Sequence, residues 1–189
     1  MFSDEAHHTI AAPQFGPGKG NPNDNDFGRE NITGLAVERF RFRTPTLLNI
    51  SVTAPYMHTG AYETLNAVLQ HYDNPNGEVD DFFDNGAWCD LDQFEDIANC
   101  QALNLYPNAE QNTNQALNKR NQERNQNDPA ALENINLNNG EINDLEEFLE
   151  TLTDPCVTSR ACLAPWIPSA VEAADAHQLN AIGGNANPL

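Results

Sequence analysis

Met57, His58, His71 and Tyr72 fall within one stretch, Phe40 to Tyr72, reading FRFRTPTLLNISVTAPYMHTGAYETLNAVLQHY. Thioether, imidazole and phenolate are all side chains that ligate iron. Arg39, Arg41 and Arg43 lead into the stretch and make up a third of the chain's nine cationic side chains. A guanidinium binds carboxylates in a bidentate fashion, so each arginine could grip an anionic ligand or pair with surface acids.

The elements that must position these groups are short. Thr64 is suited to cap a helix over residues 64–72. Within it Leu65, Val68, Leu69 and Tyr72 recur at helical spacing and share one face. Tyr72 is then either the last core residue of that face or an oxygen donor presented from it. His71 points about 100° away around the helix, so it and Tyr72 cannot face one ion. Met57 sits on a loop over residues 45–62, where Pro45 and Pro55 set stiff turns and Gly60 supplies a positive φ. Asp73, Asn74 and Pro75 end the helix.

Elsewhere the pattern is irregular. Residues 1–38 are broken by prolines and glycines and read as ordered loop. His7 and His8 stand there among small apolar residues. Residues 108–127 are so rich in Asn and Gln that a weak surface helix or a solvated loop is expected. Asp128-Pro129 should start a short helix. Asn138 and Glu141 form a capping-box pattern ahead of an apolar stripe of Ile142, Leu145, Phe148, Leu149 and Leu152. The tail, residues 166–189, is expected to be extended, with Trp166 packed on the surface.

The 189 residues carry a net charge of -19, which makes nucleic acid an unsuitable partner and favours a basic protein or a small neutral substrate. No apolar run approaches the roughly 20 residues of a membrane span. Four cysteines, Cys89, Cys100, Cys156 and Cys162, allow three connectivities. The local pairs 89–100 and 156–162 are the simplest and would each contribute roughly 2–3 kcal/mol. Such bridges imply an oxidising compartment. No Cys-x-x-Cys-His, nucleotide loop, Gly-x-Ser-x-Gly or His-Glu-x-x-His is present.

The wording FRTPTLLN, TAPYMHTG and TLNAVLQHY resembles the C-terminal haem domain of the bacterial di-haem cytochrome c peroxidases, and the HY ending resembles their MauG-like branch. FSDEAHHTIAAPQFGPGKG and EINDLEEFLETLTDPC follow the same motif order. The resemblance implies a mainly α, cytochrome-c-like, loop-rich and incomplete haem domain over residues 1–165, with an Asn-rich insertion near 76–128. It implies Tyr72 as axial ligand of a haem iron, with Met57 and His71 as rivals. His58 is implied as a catalytic or propionate-bonding residue, Arg41 and Arg43 as propionate partners, and His7 as haem-facing. Main-chain carbonyls of Thr53 and Pro55 would form half of a calcium site. Leu48 stands where relatives often carry arginine, so that contact is lost.

The haem c would be attached by cysteines of an upstream part or subunit, because relatives carry two attachment motifs before this region. The complete protein would be a periplasmic peroxidase, reducing hydrogen peroxide with electrons from a small electron-transfer protein or an oxidised protein substrate. The rival expectation is a haem-free binding or structural domain that keeps the shell of the fold.

Overall fold

A computed structural model describes residues 2–103, 105–133 and 135–167. Helices and loops dominate, as expected for a mainly α chain. The six helices named among the described residues are α1 (Glu30–Thr33), α2 (Leu65–Asp73), α3 (Pro75–Asp84), α4 (Ala109–Asn125), α5 (Asn139–Glu150) and α6 (Arg160–Leu163). Two short strands, β1 (His7–His8) and β2 (Phe42–Arg43), pair antiparallel with His7 opposite Arg43 and His8 opposite Phe42.

Local chemistry sets several boundaries. Thr64 Oγ1 accepts the Ala67 N–H at 3.1 Å and starts α2. Asn74 Oδ1 accepts from Gly77 N at 3.2 Å, and Pro75 then opens α3 with no N–H to satisfy. Asn138 and Glu141 form the reciprocal capping box of α5. Asp128-Pro129, by contrast, starts a turn and no helix. Asp128 Oδ1 instead accepts from Ala130 N, and the chain passes into a bridge between Ala131 and Thr9.

Two apolar clusters hold the domain. The first contains Tyr56, Tyr62, Leu65, Phe82, Trp88 and Leu91; the second contains Ala11, Phe40, Val79, Ala116 and Leu117. Val79 and Phe82 lie three residues apart on α3, so one helical face serves both clusters.

The Asn-rich region is not a surface element. α4 is the longest helix among the described residues and buries Asn112, Thr113, Arg120 and Glu123 beside Ala109, Ala116 and Leu117. Its buried polar face is matched by the N-terminal loops. Thr113 Oγ1 accepts from Gln14 N, Asn112 Nδ2 donates to the Asn23 carbonyl, and Asn25 Nδ2 donates to Gln115. Arg41 donates to Glu123 at 2.8 Å and to Asp128 at 2.7 Å. Burying polar atoms is tolerable because hydrogen bonds replace those lost to water.

Both local disulfides are present, Cys89–Cys100 and Cys156–Cys162, and they use all four cysteines. Cys89–Cys100 staples the turns after α3 beside the first cluster. Replacing both cysteines with alanine is expected to remove about 2–3 kcal/mol from the unfolding free energy. A urea transition unchanged from wild type would contradict that. Trp166 departs from expectation: it sits in a short 3-10 turn and is 82% exposed. Residues 168–189 of the expected tail lie outside the described residues.

Candidate functional site

α2 is fixed by three anchors, one at its start and two in its C-terminal turn. Leu65 enters the first cluster, and His71 is fully buried. His71 Nε2 lies 2.7 Å from the Ile10 carbonyl oxygen, and Nδ1 lies 2.9 Å from Tyr62 Oη. A carbonyl can only accept, so Nε2 carries the proton and Nδ1 accepts from the phenol. Burial, with Arg120 adding to it, lowers the His71 pKa to about 4, although the bond to Ile10 opposes the shift. Asp73 Oδ1 accepts the Leu137 N–H at 2.6 Å on the other side. With both ring nitrogens committed, His71 is a core staple and offers no lone pair to a metal.

Those anchors orient Tyr72 differently. Tyr72 and Leu69, three residues apart, are half-buried and belong to neither core cluster. No described residue hydrogen-bonds the Tyr72 hydroxyl. Desolvation, and secondarily the Asp4 carboxylate, push its pKa up. The phenol is therefore neutral unless a cation replaces its proton.

Apolar surface is left uncovered on α5 and on loop segments. Phe148 is 49% exposed and Leu145 37%, so only part of the α5 stripe is packed. Phe2, Leu48 and Ile135 are also exposed. Backbone bonds tie their segments together: Leu47 N to the Phe2 carbonyl, and Asn49 N to the Leu152 carbonyl.

His58 occupies another position. Its ring stacks on Phe42 with centroids 3.6 Å apart, and it borders a cleft of about 220 Å³ with Gly16, Gly18, Lys19 and Asp26. Desolvation lowers its pKa to about 4, opposed by Asp26 and reinforced by Lys19. The residue is exposed beside that cleft, so solvent weakens the shift, and its neutral form is favoured near neutral pH without being locked. Gly28 permits this arrangement. Its φ is +58°, and a Cβ there would lie 2.7 Å from the Arg41 carbonyl oxygen and 3.1 Å from the Phe42 ring.

The remaining candidates are dispersed. Met57 has a positive φ of 66° and packs its side chain against the first cluster. Arg41 is consumed by Glu123 and Asp128, while Arg43 is exposed and pairs with Glu5. His7 is half-buried, with Arg29 Nη1 3.0 Å from each ring nitrogen. Desolvation and that guanidinium lower its pKa. Thr53 and Pro55 are exposed on their loop, and the Thr53 hydroxyl donates to the Ile50 carbonyl. The described residues contain no group of three or more His, Cys, Asp or Glu side chains able to hold a metal ion.

Sequence reasoning missed two features. One is the bond from Tyr62 to His71; the other is the Arg41–Glu123–Asp128 clamp. Neither carries a motif.

Of the expected haem contacts, Tyr72 keeps its hydroxyl open among the described residues, while Met57, His71, Arg41 and Arg43 are engaged within the protein. The two disulfides use all four cysteines, so none is left for a thioether bond. The comparisons with known proteins give only partial matches, to MauG proteins and a cytochrome-c peroxidase. No family model matches the chain, and no solved structure matches it. Curated sequences do match. Methylamine utilization protein MauG of Methylorubrum extorquens is 36% identical over 74 residues, covering 38% of this chain and 18% of that protein. MauG of Methylophilus methylotrophus is 30% identical over 71 residues, covering 38% and 19%. Cytochrome-c peroxidase IdrP1 of Pseudomonas sp. (strain SCT) is 38% identical over 52 residues, covering 28% and 14%. The matches span less than a fifth of each relative's length. They relate this chain to the MauG-like di-haem peroxidases.

Proposed function

We propose that this chain forms the cytochrome-c-like C-terminal part of a periplasmic di-haem peroxidase, and that Tyr72 caps a haem iron held by another stretch of polypeptide. The observation that carries the reading is the Tyr72 hydroxyl. It is desolvated and has no hydrogen-bond partner among the described residues, on a turn anchored from both sides. A phenolate is a hard anionic ligand that favours the ferric state.

When bound, the haem would supply the redox chemistry for two-electron reduction of hydrogen peroxide. The chain's own residues would bind and exclude water. Tyr72 would give its proton to solvent and ligate through Oη. Leu69, Leu145 and Phe148 would shield the porphyrin edge. Neutral His58 would be available to hydrogen-bond a propionate or a proton-bearing group. Electrons would come from a small redox protein or an oxidised protein substrate. A cationic donor would be attracted by the net charge of -19.

The two disulfides support an oxidising location. Among the described residues no helix is long and apolar enough to cross a membrane.

The test is co-expression with a haem-bearing polypeptide from the same genome, in a host that attaches haem c. The expected result is co-purification as a complex whose ferric spectrum differs from that of the haem-bearing polypeptide alone. Identical spectra, or no complex, would favour a haem-free structural domain.

A further inference from the structure

We propose that the open cleft between the start of α4 and the loops joined by the Cys89–Cys100 disulfide binds a neutral sugar ring. The cleft holds about 470 Å³, a size usual for small-molecule sites, and its lining runs from Phe83 to Gln111. It lies within the stretch expected as an insertion and shares no residue with the Tyr72 turn. The inference goes beyond the peroxidase reading and does not rest on it.

One wall offers hydrogen bonds that nothing in the described chain accepts. Trp88 is 4% exposed and packs in the first cluster. A buried indole N–H ordinarily finds an acceptor. That of Trp88 has none among the described residues, yet it is not sealed from solvent, and its ring lines the cleft. Beside it α4 begins. The N-cap residue, Asn108, has a φ of +71°, and its side chain accepts no hydrogen bond from the helix. The Ala109 N–H is taken by the Tyr106 carbonyl, whereas the Glu110 and Gln111 N–H groups have no acceptor among the described residues. One indole and two backbone N–H groups are therefore left to meet acceptor oxygens.

Charge decides which ligand carries those oxygens. Among the described lining residues none is lysine or arginine, Glu110 alone is charged, and the whole chain carries -19. An anion would enter against that field. An organic cation would meet the positive end of the α4 dipole. A neutral polyol escapes both penalties. Its hydroxyls accept from the N–H groups and donate to Glu110 or to the amide oxygens of Gln101 and Gln111.

The apolar wall favours a ring over an open chain. Tyr106 is 45% exposed and Leu103 42%. A pyranose presents C–H groups on one face, which pack on an aromatic ring while the hydroxyl edge stays hydrogen-bonded. The disulfide joins the chain neighbours of Trp88 and Gln101, so these two lining residues are held in place before a ligand arrives.

The test titrates the isotope-labelled full chain and follows its amide and indole nitrogen–proton correlation spectrum. D-glucose, D-galactose, D-mannose and N-acetyl-D-glucosamine are added separately, to tens of millimolar. At least one is expected to move the Trp88 indole resonance and the Glu110 and Gln111 amides. The indole of Trp166, 82% exposed and outside the cleft, should stay still. Tyr106→Ala, at an exposed position in neither core cluster, should weaken that binding about tenfold. Glucuronate and glucosamine, the charged counterparts, should bind more weakly than the neutral ring. A Trp88 indole unmoved by all four sugars, charged rings that bind as tightly, or an affinity that survives Tyr106→Ala would overturn the proposal. No haem takes part, so failure here and failure of the peroxidase reading are distinguishable.

Discussion

Replacing Arg41 with alanine is expected to destabilise the fold by about 2–3 kcal/mol, less than the roughly 3–5 kcal/mol of leaving a buried charge wholly uncompensated. Arg41 joins the motif-bearing strand β2 region to α4 through Glu123 and to the following turn through Asp128. The Arg41 and Glu123 side chains are only 15% and 7% exposed. Without the guanidinium, Glu123 keeps Lys119 at 2.8 Å as its cation, and its Oε2 already lacks a partner. Arg41→Lys retains charge but loses the fork that reaches both acids, so a smaller loss is expected. Urea unfolding of the two variants checks this. A loss below about 1 kcal/mol for Arg41→Ala would mean the pair behaves as a surface one.

The second large effect is a pH dependence centred on His71. Its pKa is about 4 in the folded protein against an ordinary value of 6.5, so the unfolded chain binds more protons between those values. The stability it contributes is present above pH 6.5 and is lost as the pH falls toward 4. From pH 7 to pH 5 that loss is about 2 kcal/mol. Many carboxylates also titrate on acidification, so the informative quantity is the stability gap between wild type and His71→Gln. That gap should shrink by about 2 kcal/mol between pH 7 and pH 5. A gap independent of pH would show that His71 is not held neutral.

How far each feature could be foreseen depends on how local its cause is. Thr64, Asn138 with Glu141, Gly60 and the two short cysteine loops act on neighbours within a few residues, and their roles were legible. α4 was not. Periodicity finds helices through apolar faces, and the buried face of α4 is largely Asn112, Thr113, Arg120 and Glu123. Their partners, Gln14, Asn23 and Arg41, lie more than eighty residues away.

The site divides in the same way. The helical spacing placed Tyr72 on a face, and the resemblance gave that face a meaning. Nothing local showed that His71 would turn inward to Ile10, 61 residues earlier. That inward turn is what directs Tyr72 away from the core. Arg41 looked like a ligand-binding cation because its two acidic partners are 82 and 87 residues downstream.

The most direct measurement is the ferric spectrum of the haem-loaded complex with and without Tyr72→Phe. Phenylalanine keeps the ring and removes the one oxygen, so the fold should be preserved. The expected result is loss of the phenolate-to-iron charge-transfer absorption and a change of spin state as the sixth position opens. Superimposable spectra from wild type and Tyr72→Phe would contradict the account.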